Sequence, residues 1–336
     1  MRAMETYTRR DLLGLSGKLL AIQALSSCAM RDSEPAAGVI PAPLDATQFA
    51  ASRRFARTRF GEIAYVARGS GRAVLLLHGF PLNGFQWRGV IDRLAPHALC
   101  IAPDFLGMGH TRTATDQDVG PDSQVLMLAS LLDELGESAV DVIANDSGCA
   151  VAQLFTVRHP TRVRSLLLTN GDTEMQSPPA AMLPVIELAR QGRFVDEWLA
   201  PWHADSALAR SKDGIGGLCY ANPEHPTDEA LEMYFGPLMN SAERRADLHR
   251  YAVALGRNAL AGIQPALREC RVPVRIVWGI DDTIFDASNA DYLHRSFGNS
   301  RGVRRLTGAK LFWPEERPDI IAAQARILRE SGSVHG

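Results

Sequence analysis

The sequence predicts an α/β fold, a doubly wound and mostly parallel sheet with a helical insert, and three observations carry that expectation. Short apolar runs at residues 73–77, 98–102, 138–144, 165–169 and 272–278 alternate with stretches of helical periodicity, which is the order a parallel sheet flanked by helices requires. These runs are continuous rather than alternating, as strands buried on both faces must be. From about residue 171 to 270 the pattern changes to helical segments broken by Pro and Gly, with no strongly β-like run.

At 336 residues, 46% hydrophobic and 22% charged, the chain is long enough for one large domain with an insertion. A formal net charge of −2 gives no general attraction to nucleic acid or anionic lipid. No apolar run reaches the roughly 18–20 residues of a membrane span. Five Cys and nine His are scattered, so neither a metal site nor a cofactor is expected. At the N-terminus, Thr8-Arg9-Arg10-Asp11-Leu12-Leu13 precedes a weakly apolar stretch, residues 14–27. It resembles a twin-arginine export signal. Leu25-Ser26-Ser27-Cys28 resembles a lipobox, which would anchor the mature chain to a membrane through Cys28. The competing reading is an amphipathic helix of the folded domain. Residues 1–28 are thus expected to be an export signal and 29–50 a Pro/Ala-rich linker, with the protein periplasmic or a membrane-anchored lipoprotein.

Residues 53–60 and 62–68 read as two strands joined at Gly61, a hairpin signal. The apolar run 73–77 follows and ends in His78-Gly79-Phe80-Pro81. A helix is expected over 84–95, a strand over 98–102, and then the loop Pro103-Asp104-Phe105-Leu106-Gly107-Met108-Gly109-His110-Thr111. Helix 122–135 places Leu126, Leu128, Leu131, Leu132 and Leu135 on one face. The run 138–144 turns through a corner of small residues into a helix that begins near Ala150 and stops at His159-Pro160. Beyond the strand at 165–169, helical segments are expected at 180–190, 195–199, 228–234 and 242–256. The sheet resumes at 272–278 and 302–306, and a last helix spans 315–329.

The corner reads Ala144-Asn145-Asp146-Ser147-Gly148. It resembles the Gly-x-nucleophile-x-Gly elbow of the α/β-hydrolase fold superfamily, with an aspartate at the tip. The alternative is an Asp that merely caps the following helix. The resemblance covers about residues 53–329 and implies a core of 51–170 and 271–336 with a helical cap at 171–270. His78-Gly79-Phe80-Pro81 is similar to the turn that supplies one oxyanion-hole N–H, here from Phe80, with Ser147 supplying the other. His78 resembles the family's structural histidine. Gly279-Ile280-Asp281-Asp282 resembles the turn that carries the catalytic acid, which falls on Asp282. The cap aromatics Trp198, Trp202, Tyr220, Tyr234, Phe235 and Tyr251 would roof the pocket.

An Asp at the tip points to the Asp-nucleophile branch, which holds haloalkane and fluoroacetate dehalogenases and epoxide hydrolases. Such an Asp forms a covalent ester that water must then cleave, and the second step needs a base. Here the family's histidine position holds Leu311, in Gly308-Ala309-Lys310-Leu311-Phe312-Trp313. Asp281, Glu315 and His110 are the other candidates for activating water. The candidate pocket residues are His110, Trp198, Trp202, Tyr220, Tyr234, Leu311 and Trp313. No single branch is matched: Ser147 stands where haloalkane dehalogenases commonly carry Trp, and Phe105-Leu106 lack the arginine of fluoroacetate dehalogenases. Two functions follow. One is a hydrolase of a small, largely apolar substrate (epoxide, alkyl halide or ester); the other is a small-molecule-binding pseudoenzyme that keeps the pocket without turnover.

Overall fold

The computed structural model describes residues 44–114 and 116–332. Eight strands form one sheet: β1 Arg53–Thr58, β2 Gly61–Arg68, β3 Ala73–Leu77, β4 Leu99–Pro103, β5 Val140–Asp146, β6 Val163–Gly171, β7 Val274–Gly279 and β8 Ser300–Leu306. Their order across the sheet is β1-β2-β4-β3-β5-β6-β7-β8. β2 is antiparallel to β1 and β4, and every other pair is parallel. All residues of the central strands β3 and β5 are buried. Helices cover both faces of those strands, which is why their sequences are unbroken apolar runs.

The core helices are α1 Ala46–Ala51, α2 Arg88–Leu94, α3 Pro121–Glu134 and α4 Ser147–Arg158. Between β6 and β7 lie α5 Met182–Arg190, a π-helix at Val195–Leu199, α6 Ala200–Ala204, α7 Ser206–Arg210, α8 Ile215–Cys219, α9 Asp228–Met239, α10 Ala242–Ala254 and α11 Gln264–Glu269. α12 Ser288–Ser296, α13 Trp313–Glu316 and α14 Pro318–Gly332 complete the chain. The segment between β6 and β7 is therefore all-helical and follows the carboxyl end of β6, where a cap belongs.

Several expectations need correction. Residues 46–50 are not linker: Asp45 caps α1 by accepting the Gln48 N–H, and Phe49, 2% exposed, packs edge-on against Phe85. Leu126 leaves the buried face of α3 and is 44% exposed. The last helix is two helices, because Pro318 cannot donate to the preceding turn and so opens α14. The export motif, Cys28 and the proline-rich stretch lie outside the described residues.

Candidate active site

β5 ends at Asp146 and α4 begins at Ser147 with nothing between them. The chain can reverse that sharply only by placing Asp146 at φ 54°, the one non-glycine residue with positive φ among the described residues. A conformation of this kind costs on the order of 1–3 kcal/mol and persists only where its surroundings enforce it. Close packing does so. A Cβ on Gly79 would stand 2.6 Å from Asp146 Cβ, and one on Gly148 would stand 2.7 Å from the carbonyl oxygens of Leu77 and His78. Ala144 takes the first glycine position of the elbow and is fully buried there. The side chain of Asp146 makes no capping bond to α4, which removes the reading of a simple helix cap. Asp146 instead turns its carboxyl back toward the turn after β3, where Oδ2 accepts the Phe80 N–H at 2.6 Å. The Ser147 N–H, the first of α4, lies close enough to favour the charged form of the carboxyl. The two N–H groups expected from sequence thus converge on one group.

Burial pushes Asp146 up to about 7; the Phe80 and Ser147 N–H groups oppose the rise and the charge on Asp282 adds to it. Asp282 is pushed up to about 6, again by burial first. It accepts from Asn170 Nδ2 at 2.8 Å and from the Ile284 N–H at 2.9 Å. A third carboxyl, Asp172, was not among the sequence candidates. It follows Gly171, the β6 residue that pairs with Asp146, and its N–H donates to the Asp146 carbonyl at 3.3 Å. Burial and then the charge of Asp146 push Asp172 up to about 8. A lone acidic residue at the carboxyl end of the strand beside the elbow was the available signal, since open α/β sheets place their sites there.

Among the described residues, Asp146 is the only charged one lining a cavity of about 230 Å³ between sheet and cap. Phe80, Trp198, Trp202, Leu311 and Phe312 supply much of its apolar wall. Leu311, 3% exposed, occupies its position with an aliphatic side chain while its carbonyl accepts from Asn145 Nδ2 at 3.0 Å. No histidine among the described residues lines this cavity. His78 is engaged at both nitrogens: Nε2 accepts the Phe105 N–H at 3.0 Å, so Nδ1 carries the proton and donates to the Gly79 carbonyl at 2.9 Å. Burial lowers its pKa, and a neutral ring bracing two loops is no base.

Four expected pocket residues lie elsewhere. Tyr220 and Tyr234 donate to Glu315 at 3.1 and 2.7 Å, because that buried carboxylate, paired with Arg88 at 2.9 Å, draws their hydroxyls away from the cavity. Trp313 is fully buried and donates its indole N–H to Asn170 Oδ1 at 3.0 Å. His110 stands beside Asp104 and lines a separate cavity with Arg112 and Arg244. Asp281 is exposed and accepts the Gly308 N–H. None of the three candidates for activating water, Asp281, Glu315 or His110, therefore lines the cavity of Asp146. Among the described residues no group of three His, Cys, Asp or Glu side chains is arranged to hold a metal ion.

Comparison with known proteins agrees with this architecture. The family described as alpha/beta hydrolase fold matches residues 72–313. Haloalkane dehalogenase 2 of Mycobacterium tuberculosis (strain ATCC 25618 / H37Rv) is 29% identical over 279 residues, covering 81% of this chain and 92% of that protein. Epoxide hydrolase 3 of Mus musculus is 22% identical over 271 residues, covering 74% of this chain and 68% of that one. Among solved structures, the epoxide hydrolase CorEH without ligand superposes with a TM-score of 0.67 at 22% identity, covering 82% of this chain and 97% of that chain. At that identity the structural likeness speaks for the fold alone.

Proposed function

Because the chain belongs to the α/β-hydrolase fold family, we propose that it reacts with a small, largely apolar electrophile (an epoxide, an alkyl halide or an ester) through a covalent bond to Asp146. The observation that carries this reading is the Asp146 carboxyl, held at Oδ2 by the Phe80 N–H in the wall of an otherwise apolar cavity. With Oδ2 held, Oδ1 is the oxygen free to attack. It forms a new bond to the substrate carbon while the bond from that carbon to the leaving atom breaks; the leaving atom keeps the electron pair and departs as halide or, for an epoxide or ester, becomes an alkoxide oxygen that takes a proton from water. The Phe80 and Ser147 N–H groups are then placed to hold the carbonyl oxygen of the adduct, and its oxyanion once water adds. Release needs a base for that water, and Leu311 puts a hydrocarbon where the resemblance puts an imidazole. Attack is therefore the competent step and release the slow one. The haloalkane dehalogenase and epoxide hydrolase among its relatives support the choice of electrophile. A second reading, a binding protein without turnover, is favoured by Leu311 alone.

Intact mass spectrometry after incubation with 1-bromobutane or 1,2-epoxyhexane tests the proposal. Wild type should gain a lasting adduct that Asp146→Asn lacks. The rate of its formation should rise with pH through about 7, since only ionised Asp146 attacks. Leu311→His should shorten the lifetime of the adduct. If neither wild type nor Leu311→His ever gains mass, the binding reading takes over. Free turnover by wild type would mean that a group other than an imidazole at position 311 activates the water.

A further inference from the structure

Both N–H donors on Asp146 belong to residues whose side chains meet a single cap residue. Tyr251, on α10 and 2% exposed, has its hydroxyl 3.3 Å from Ser147 Oγ. Its ring lies parallel to that of Phe80, with 1° between the planes and 5.9 Å between centroids. Phe80 also stacks with Phe194 of the cap, at 5.7 Å between centroids. Phe80 and Ser147 come from the loop after β3 and the first turn of α4, and Asp146 ties their backbones together through the Phe80 N–H. Tyr251 bridges them from above.

The position of Tyr251 is itself determined. Arg244, one turn of α10 before Asp247, donates to the carbonyls of Met108, Gly109 and Thr111 and to Asp247. Gly107, at φ 80°, lets the helix come close: a Cβ there would stand 3.1 Å from the Asp247 carbonyl oxygen and 3.6 Å from Tyr251 Cβ. Tyr251 does not line the cavity of Asp146. Burial pushes its hydroxyl well above the ordinary tyrosine range, so the O–H stays protonated.

We propose that Tyr251 is a positioning residue: it sets the orientation of the Phe80 and Ser147 N–H groups on the Asp146 carboxyl, and so makes cap docking a determinant of how reactive that carboxyl is. The physical basis is that hydrogen-bond donors act on developing charge only when they are fixed before the reaction, and a misplacement of about 1 Å costs on the order of 100-fold. The inference rests on the covalent role of Asp146, but the arrangement it describes exists with or without chemistry.

Two readouts keep those ideas apart. In the first, the maximal rate of adduct formation is compared with the substrate concentration at half that rate. Tyr251→Phe keeps the stack and loses the hydroxyl, and should cut the maximal rate by about 3–10-fold; Tyr251→Leu should cut it by about 10–100-fold. The half-saturating concentration should stay within about two-fold in both. Ser147→Ala should match Tyr251→Phe, and the double variant should be no worse than either, because one contact is lost only once. In the second readout, the Asp146 carboxyl is titrated by ¹³C NMR together with Asp172 and Asp282, the other carboxyls near it, and the Phe80 and Ser147 amide protons are followed. Loosened donors should let Asp146 rise by about half a pH unit in Tyr251→Phe and move both amide protons upfield. Unmoved amides and an unmoved Asp146 titration in Tyr251→Phe would overturn the inference, as would additive losses in the double variant. If wild type forms no adduct yet the NMR shifts appear, the positioning role stands and the covalent reading fails.

Discussion

Asp146, Asp172 and Asp282 are all pushed upward, and burial is the largest cause for each. Asp172 rises furthest, to about 8, with a Ser177 hydrogen bond opposing the rise and the charge of Asp146 adding to it. Its folded pKa lies above the ordinary carboxylate value of about 4, so the folded state holds a proton that the unfolded chain has already lost. The associated stability is whole below about pH 4 and drains away as pH rises toward 8. Replacing the carboxyl by a neutral amide removes that loss. Urea denaturation of Asp172→Asn and wild type at pH 5 and pH 8 should therefore show the variant gaining on wild type by roughly 1–3 kcal/mol between the two. A difference that does not change with pH would mean that Asp172 does not titrate in this range. The sequence pointed to Asp146, Phe80 and Ser147 because an elbow and an oxyanion turn constrain residues at fixed spacing. It showed an acidic residue after the β6 run, but that Asp172 stands beside Asp146 follows only from the register between β5 and β6. It misplaced Tyr220, Tyr234 and Trp313 because the direction of a side chain is decided by partners distant in sequence, here Glu315 and Asn170.

Among the elements, the joint between cap and core centres on Glu315 in α13. Its side chain is 1% exposed and meets Arg88 of α2, Tyr220 just beyond α8 and Tyr234 of α9. Nearby, Glu316 accepts the N–H groups of Ala221 and Asn222. One short core helix thus holds two cap segments. Breaking a buried ion pair on one side only leaves the other charge unpaired, at about 3–5 kcal/mol. Glu315→Gln should lose that much in a urea titration, and the double variant Arg88→Met, Glu315→Leu should recover a large part of it. If Glu315→Gln costs less than about 1 kcal/mol, the network is not what fixes the cap. Element reading from sequence worked best where one physical rule dominates, as in the unbroken apolar runs of β3 and β5. It failed for α6, α7 and α8, five residues each, which are too short to show helical periodicity and form because the cap packs around them. It failed again at α1, whose signature is one buried phenylalanine.

For the whole molecule, the four cysteines among the described residues, Cys100, Cys149, Cys219 and Cys270, are all free and buried. Nothing in this part of the fold calls for an oxidising compartment while it forms. That is compatible with the twin-arginine expectation, because such a signal serves proteins that fold first. We propose that Arg9 and Arg10 direct such an export, with Cys28 as the point of lipid attachment. The variant Arg9→Lys, Arg10→Lys should then accumulate in the cytoplasm as folded protein, its four buried thiols unreactive until urea is added. Wild type should lose residues 1–27 and fractionate with membranes, and Cys28→Ser should not be anchored there. A core variant such as Leu76→Ala, which opens a cavity in the core at a cost of about 2–5 kcal/mol, should be exported less well to the extent that it unfolds, since partly unfolded chains are poor cargo for this route. Undiminished export of the double lysine variant would refute the twin-arginine assignment. Full export of Leu76→Ala, if denaturation shows it to be largely unfolded in the cytoplasm, would mean that the chain crosses unfolded.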